Sequence, residues 1–119
     1  MKKLNDINAA LCQFVDAASK HAEASQTGDY KIANKSYKEI ANAYTFLKDH
    51  DSLLVLLDYL DHKSTGVRIW AATYVLPINE KKGIATLEDV GKSTQGILSS
   101  TAKTTLSEWL KGNLKRIYA

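Results

Sequence analysis

The stretch from residue 53 to residue 76, LLVLLDYLDHKSTGVRIWAATYVL, constrains the fold of this chain more than any other part. A short, strongly apolar segment leads into a polar loop, and a second apolar segment then begins at Val67 and carries the small pair Ala71 and Ala72. Two helices joined in this way form a hairpin that cannot bury its own apolar faces, so other helices must stack against it. A helix that is apolar on most sides is normally covered on more than one side. We therefore expect a stack of helix pairs with the helix at about 53–61 near its centre.

The rest of the chain shows apolar residues at steps of three and four, which is the pattern of amphipathic helices. Asp29 and Asn79 are good N-caps, and Gly28 suits a left-handed helix end. No convincing alternation of period two occurs, so we expect no sheet. The predicted helices lie at about 4–25, 30–48, 53–61, 65–76, 80–90 and 98–111, with residues 91–96 as a loop and the remaining tail docked or extending a last turn.

Composition favours one ordinary globular domain over residues 1–119. The chain has 119 residues, of which 45% are hydrophobic, and it contains a single cysteine. The longest fully apolar run, residues 53–57, is too short to cross a membrane, and the charged start Met1-Lys2-Lys3 lacks the apolar core of a signal peptide. We expect a cytoplasmic protein that does not enter the membrane.

The hairpin also resembles a known repeat. Val67-Arg68 followed by Ala71-Ala72 is similar to the second helix of a HEAT repeat, although Thr65 stands where many such repeats have proline. The blocks at 62–72 and 105–112 resemble a bacterial family of HEAT-like domains of unknown function. The resemblance implies an all-α fold, a HEAT-like α-α superhelix of three stacked antiparallel helical hairpins. It also implies a non-catalytic protein-binding role, since related small helical-repeat proteins often sit beside bacterial toxin genes as immunity proteins. We therefore expect a toxin-immunity or regulatory protein that acts by docking and steric blocking.

Motifs that would carry chemistry are incomplete. Gly91-Lys92-Ser93-Thr94 matches the end of a phosphate-binding loop, but Thr86 occupies the place of the first glycine, and a helix precedes the motif instead of a strand. The histidines at 21, 50 and 62 lack metal-ligand spacing, and Cys12, beside an apolar stripe, is expected to be buried. We therefore predict no enzyme activity, no cofactor and no metal.

The predicted partner-binding surface lies on the central hairpin. It comprises Asp58, Asp61, Arg68, Trp70 and Tyr74. Each has an alternative role. The two aspartates at spacing i, i+3 could solvate the polar face of the helix, take part in acid–base catalysis or bind a divalent ion. Arg68 could form a structural ion pair with Asp61 or a neighbour. The aromatic residues could pack in the core.

Nucleic-acid binding is the second hypothesis. It would use Lys63, Arg68, Lys81, Lys82 and Lys92. The net charge is only +3, and just two of the 16 basic residues are arginine, the residue that reads base edges and phosphates best. The balance therefore favours a protein partner, such as a toxin, while the sequence leaves the oligomeric state open.

Overall fold

The structure is a computed structural model that describes residues 4–118, so the charged start at residues 1–3 and the last residue of the tail lie outside the described residues. This part of the chain is helical and contains no strand, which confirms the all-α prediction. The α-helices are α1 (Ile7–Thr27), α2 (Tyr30–Asp49), α3 (Thr65–Val75), α4 (Glu80–Ser93) and α5 (Gly96–Leu110). Two 3₁₀ helices span Leu53–Tyr59 and Lys115–Tyr118.

The helix ends follow local sequence signals. The Asp29 carboxylate accepts a hydrogen bond from the backbone N–H of Ile32 at 3.1 Å, and the Asn79 side chain accepts one from the N–H of Lys82 at 3.2 Å. Gly28 ends α1 at a φ of 78°, a conformation that glycine adopts at little cost. These three capping predictions are confirmed.

The predicted loop at 91–96 is confirmed only at residues 94–95, because α4 continues to Ser93 and α5 begins at Gly96. Gly91 is buried inside the helix, and its missing side chain leaves room for the stem of Lys103 from α5. The hydroxyl of Ser99 donates a hydrogen bond to the Gly91 carbonyl at 2.7 Å. Gly91 therefore serves close packing between α4 and α5, and the phosphate-binding loop that Gly91–Thr94 suggested is not formed.

The apolar segment at residue 53 is a peripheral 3₁₀ helix and not the central α-helix that we predicted. Its first turn is closed by a bond between residues three apart, from the N–H of Val55 to the carbonyl of Ser52 at 3.2 Å. Leu56 is fully buried, whereas Leu54 is 66% exposed. The segment packs chiefly on α3, so only one of its sides is covered deeply.

The central element is α3, which contributes to two apolar clusters on its opposite sides. One cluster joins it to α1, α2 and the first 3₁₀ helix, and the other joins it to α4 and α5. Its contributions to the first cluster are Val67, Ala71, Tyr74 and Val75, and those to the second are Ile69 and Ala72, with Leu76 just beyond the helix end. All of these side chains are buried, so α3 holds the two halves of the protein together.

The start of α3 lies unusually close to α1. A Cβ atom added at Gly66 would lie 2.6 Å from the Ala18 carbonyl oxygen and 2.6 Å from the Ala22 Cβ atom. The Ser19 and Ser64 hydroxyls also share a hydrogen bond at 3.1 Å across this contact. Small residues on both helices therefore permit an approach that fixes the position of α1 against α3.

Cys12 is exposed, contrary to the prediction that it is buried. The buried face of α1 includes Ala10 and Phe14, each two positions from Cys12. Two residues correspond to about 200° of rotation around an α-helix, which places the thiol on the opposite face.

None of the helices within residues 4–118 combines the length and the hydropathy that a membrane crossing needs.

Candidate functional site

An apolar cleft of about 160 Å³ opens where α1, α3 and α5 meet. Helix α3 supplies its floor, including Trp70 and Thr73, while α1 and α2 supply one wall through His21 and Tyr37. Helix α5 and the C-terminal tail supply the rest of the lining, with Leu98, Thr101, Thr105, Leu114 and Ile117. Concave, mostly apolar sites with a few polar groups are the usual form of binding pockets.

Trp70 is held at the cleft by its aromatic neighbours. The imidazole of His21 meets the indole edge-on, with ring centroids 5.3 Å apart and an interplanar angle of 89°. The rings of Tyr37 and Tyr74 lie 5.8 Å and 5.9 Å from the indole. Such offset and edge-on contacts are favourable and restrict side-chain rotation, so the cleft wall is formed before any ligand arrives.

The polar groups of the cleft suit binding. Burial lowers the pKa of His21, so its imidazole is neutral at pH 7 and can donate one hydrogen bond and accept another. The Thr73 hydroxyl is already engaged, since it donates to the Ile69 carbonyl at 2.7 Å. Ser25, Thr101 and Thr105 add hydroxyls to the lining. The arrangement can accept an apolar group and orient it with a few hydrogen bonds.

The C-terminal tail closes one side of the cleft and is anchored by Tyr118. The Tyr118 hydroxyl donates to the Thr73 carbonyl at 2.7 Å, and its own carbonyl accepts from Lys48 Nζ at 3.0 Å and from the Tyr44 hydroxyl at 3.3 Å. Burial, followed by the nearby Tyr44, raises the pKa of Tyr118 above its ordinary value. The last helical turn is therefore tied back to α2 and α3.

Arg68 forms a structural ion pair, as predicted, with an acid on the neighbouring helix α4. Its Nη2 atom lies 2.5 Å from the carboxylate of Asp89 in α4, and its Nε atom donates to the Leu60 carbonyl at 3.1 Å. Asp58 and Asp61 are exposed and do not line the cleft. Of the two alternatives predicted for this pair, Asp61 or a neighbour, Asp61 is not the partner, because the packing of α3 on α4 places Asp89 opposite the guanidinium.

The two predicted aromatic contact residues have different positions. Trp70 lines the cleft, whereas Tyr74 is 3% exposed and stacks on Tyr44 with ring centroids 4.1 Å apart. Burial is the main cause that raises the pKa of Tyr74. Tyr74 therefore supports the cleft from the core and offers no surface to a partner in this conformation, so the five predicted residues do not form one exposed patch.

Sequence reasoning missed His21 and Tyr37 as parts of the site. His21 follows Phe14 by seven residues, which is two helical turns, so its place on the buried stripe of α1 was readable. Tyr37 lies on α2 and is 43% exposed beside Trp70. What the sequence did not show is that α1 and α2 bring these two rings to the same tryptophan.

The basic residues of the nucleic-acid hypothesis remain at the surface, with one exception. Lys63, Lys81, Lys82 and Lys92 are exposed, but the Arg68 side chain is 21% exposed and bound to Asp89. Arginine was the residue best suited to phosphate recognition, so its engagement weakens this hypothesis. Within residues 4–118, no group of three or more His, Cys, Asp or Glu side chains is placed to hold a metal ion.

We expect the free energy of unfolding to decrease as the pH is lowered below neutral, because of His21. Because burial lowers the pKa of this imidazole from 6.5, the unfolded chain takes up a proton at a higher pH than the folded chain. The contribution of neutral His21 is thus complete above about pH 6.5 and lost as the pH falls below it. Urea denaturation at pH 7.5 and 5.5 should show a smaller loss of stability for His21→Gln than for the native protein, and equal losses would contradict this assignment.

No protein-family model matches this chain, no curated protein matches it, and no solved structure matches it.

Proposed function

We propose that this protein is a non-catalytic binding module that docks one protein partner at the cleft around Trp70. The carrying observation is the cleft itself, which is apolar, open to solvent and lined by Trp70 together with the rings of His21 and Tyr37, each of which contacts the indole. Tryptophan and tyrosine are enriched among the residues that dominate binding energy at protein interfaces. A wall that is already ordered loses little conformational entropy when a partner arrives, which favours affinity from a small surface.

The proposed architecture is a HEAT-like stack of three antiparallel hairpins. Three pairings support it, since α1 packs on α2, the first 3₁₀ helix on α3, and α4 on α5. Helix α3 buries Val67, Ala71 and Ala72, the apolar residues that carry the resemblance to a HEAT repeat. In such a stack the helices form a stiff scaffold, and binding sites arise where neighbouring hairpins meet.

The proposed biological role is that of a bacterial immunity or regulatory protein in the cytoplasm, which blocks a partner such as a toxin by covering part of its surface. Steric blocking requires a rigid docking surface and no reactive group. The cleft supplies the anchoring point for such a surface, and the side chains around it provide van der Waals contacts and hydrogen bonds.

Filling the cleft from α5 should weaken binding. Thr101 and Thr104 are both exposed on α5, but only Thr101 lines the cleft. Peptides selected from a random display library on the native protein should bind Thr101→Phe about tenfold or more weakly, because the new ring occupies the site of the ligand's apolar anchor. Isothermal titration of several selected peptides measures the change.

The matched control is Thr104→Phe, which adds the same ring to the same helix outside the cleft. We expect it to bind the selected peptides like the native protein. Equal binding by native protein, Thr101→Phe and Thr104→Phe would show that docking occurs elsewhere and would refute the proposed site.

A further inference from the structure

The C-terminal segment at residues 111–118, here called the strap, is attached to the helices without being enclosed by them. Leu114 and Ile117 face the cleft around Trp70. On its other side lies a second, open cavity of about 340 Å³, lined by Pro77, Trp109, Gly112, Leu114, Lys115 and Tyr118. Leu114 and Tyr118 pack against the two apolar clusters, but the cavities leave both sides of the strap incompletely packed, which lowers the free energy needed for local opening.

The attachment of the strap is concentrated at its end. Tyr118 makes the three hydrogen bonds that tie the strap to α2 and α3, and its ring meets Trp109 edge-on with centroids 6.0 Å apart. Between these contacts and α5, Asn113 donates to Glu108 of α5 twice, from its backbone N–H to the carbonyl at 2.9 Å and from its side-chain amide to the carboxylate at 2.6 Å. One 3₁₀ turn follows, in which the N–H of Ile117 donates to the Leu114 carbonyl at 3.2 Å. Breaking the Tyr118 contacts would therefore remove the hydrogen bonds that hold the strap on α2 and α3.

A glycine joins the strap to α5. Gly112 has a φ of 77°, and its N–H donates to the Trp109 carbonyl at 3.0 Å. Positive φ has little steric cost for glycine, and glycine can also adopt many other backbone conformations, so the chain can change direction at this position. The joint lies beside Trp109, so the strap can swing there without disturbing the core helices.

We propose that the strap occupies, within its own chain, part of a groove that a partner segment fills during binding. Leu114 lines both cavities, so its departure would join them into one groove from Trp70 to Trp109. The strap itself shows what fits this groove, namely one helical turn with apolar side chains at i, i+3 and i+4, here Leu114, Ile117 and Tyr118. The partner segment has this same pattern and displaces the strap. This inference rests on the proposed docking at the cleft and adds the chemistry of the partner.

Hydrogen exchange of the 119-residue protein tests whether the strap detaches. Tyr118→Phe removes the hydroxyl that donates to Thr73 and keeps the ring, so the amides of residues 112–118 should exchange about 2- to 10-fold faster than in the native protein. The amides of α3 should be unchanged. Tyr59→Phe, which removes a hydroxyl from a half-buried tyrosine outside the strap, serves as the control and should leave the strap at its native rate. Exchange of the strap and α3 at one common rate would overturn the proposal, since the strap would then open only when the whole protein unfolds.

A synthetic peptide with the sequence of residues 112–118, GNLKRIY, tests the groove itself. In NMR titrations of ¹⁵N-labelled protein, the peptide should shift the amide signals around Thr73 and move the protein's own strap signals towards their detached positions. The effect should be larger for Tyr118→Phe than for the native protein, and a scrambled peptide should have none. Equal effects of the two peptides, or no effect of either on Tyr118→Phe, would overturn the displacement of the strap.

The two proposals can fail separately. Library-selected peptides that bind at Trp70 while the strap signals stay in place would support the docking site and overturn the displacement. A strap that detaches and rebinds GNLKRIY, in a protein whose Thr101→Phe variant still binds the selected peptides, would support the displacement and refute the docking site.

Discussion

Gly66→Ala is expected to reduce the free energy of unfolding by about 1–3 kcal/mol, the usual cost of overpacking a core. The added methyl group would lie 2.6 Å from the Ala18 carbonyl oxygen, which is backbone and cannot rotate away. Helices α1 and α3 must therefore separate. Alanine favours a helix over glycine by about 1 kcal/mol, so the measured loss is what remains after that gain. Urea denaturation followed by circular dichroism gives the value.

Gly91→Ala is the matched control, since Gly91 is also buried in a helix. Its added methyl group would lie 3.1 Å from the side chain of Lys103, which is flexible and can move. We expect this variant to be as stable as the native protein or slightly more stable. A Gly66→Ala variant as stable as Gly91→Ala would contradict the close approach of α1 and α3, and with it the position of His21 beside Trp70.

Phe14→Ala should have the largest effect of the substitutions considered, a loss of about 3–5 kcal/mol of stability. Phe14 is fully buried in the cluster that joins α1, α2 and α3, and its ring lies 6.4 Å from that of Tyr74. Removal of the ring leaves a cavity directly beneath the aromatic side of the cleft. Because whole domains of this size are stable by only about 5–15 kcal/mol, part of the variant should be unfolded well below the native melting temperature.

The second phenylalanine supplies the comparison. Phe46 is only half-buried and stacks on His50 near the surface, with ring centroids 4.0 Å apart. Phe46→Ala should therefore lose roughly half as much stability as Phe14→Ala, in proportion to the apolar surface that it buries. If the two variants unfold at the same urea concentration, the cluster around α3 is not the main core.

Local sequence signals predicted most of the helices, but they did not predict burial, which depends on the neighbouring helices. Caps such as Asp29 and Asn79 act within three residues, so they are visible in sequence and are confirmed. Burial, in contrast, depends on residues that are distant in the sequence. The leucines at 53–57 are the most apolar run in the chain, yet the deeply buried central helix is α3, whose small residues let two sets of helices approach it. Hydropathy alone does not report how many neighbours a helix has.

The candidate site was predictable only in part for a similar reason. Trp70 was named as a contact residue and lines the cleft, but its neighbours His21 and Tyr37 lie 49 and 33 residues earlier in the chain. Arg68 was expected to form an ion pair, and its partner Asp89 lies 21 residues away on the next helix. The strap is the extreme case, since the Tyr118 hydroxyl binds a carbonyl 45 residues earlier. Such pairings depend on how the helices stack, which periodicity does not specify.

The indole N–H signals of the two tryptophans test the central claim most directly. Trp70 lines the cleft, while the Trp109 N–H is bound to the Glu80 carboxylate at 2.7 Å on another part of the surface. In an NMR titration of the native protein with a library-selected peptide, docking at the cleft predicts a saturable shift of the Trp70 indole signal, which is absent when the protein carries Thr101→Phe. Saturable binding that leaves the Trp70 signal in place would contradict the claim that this cleft receives the partner.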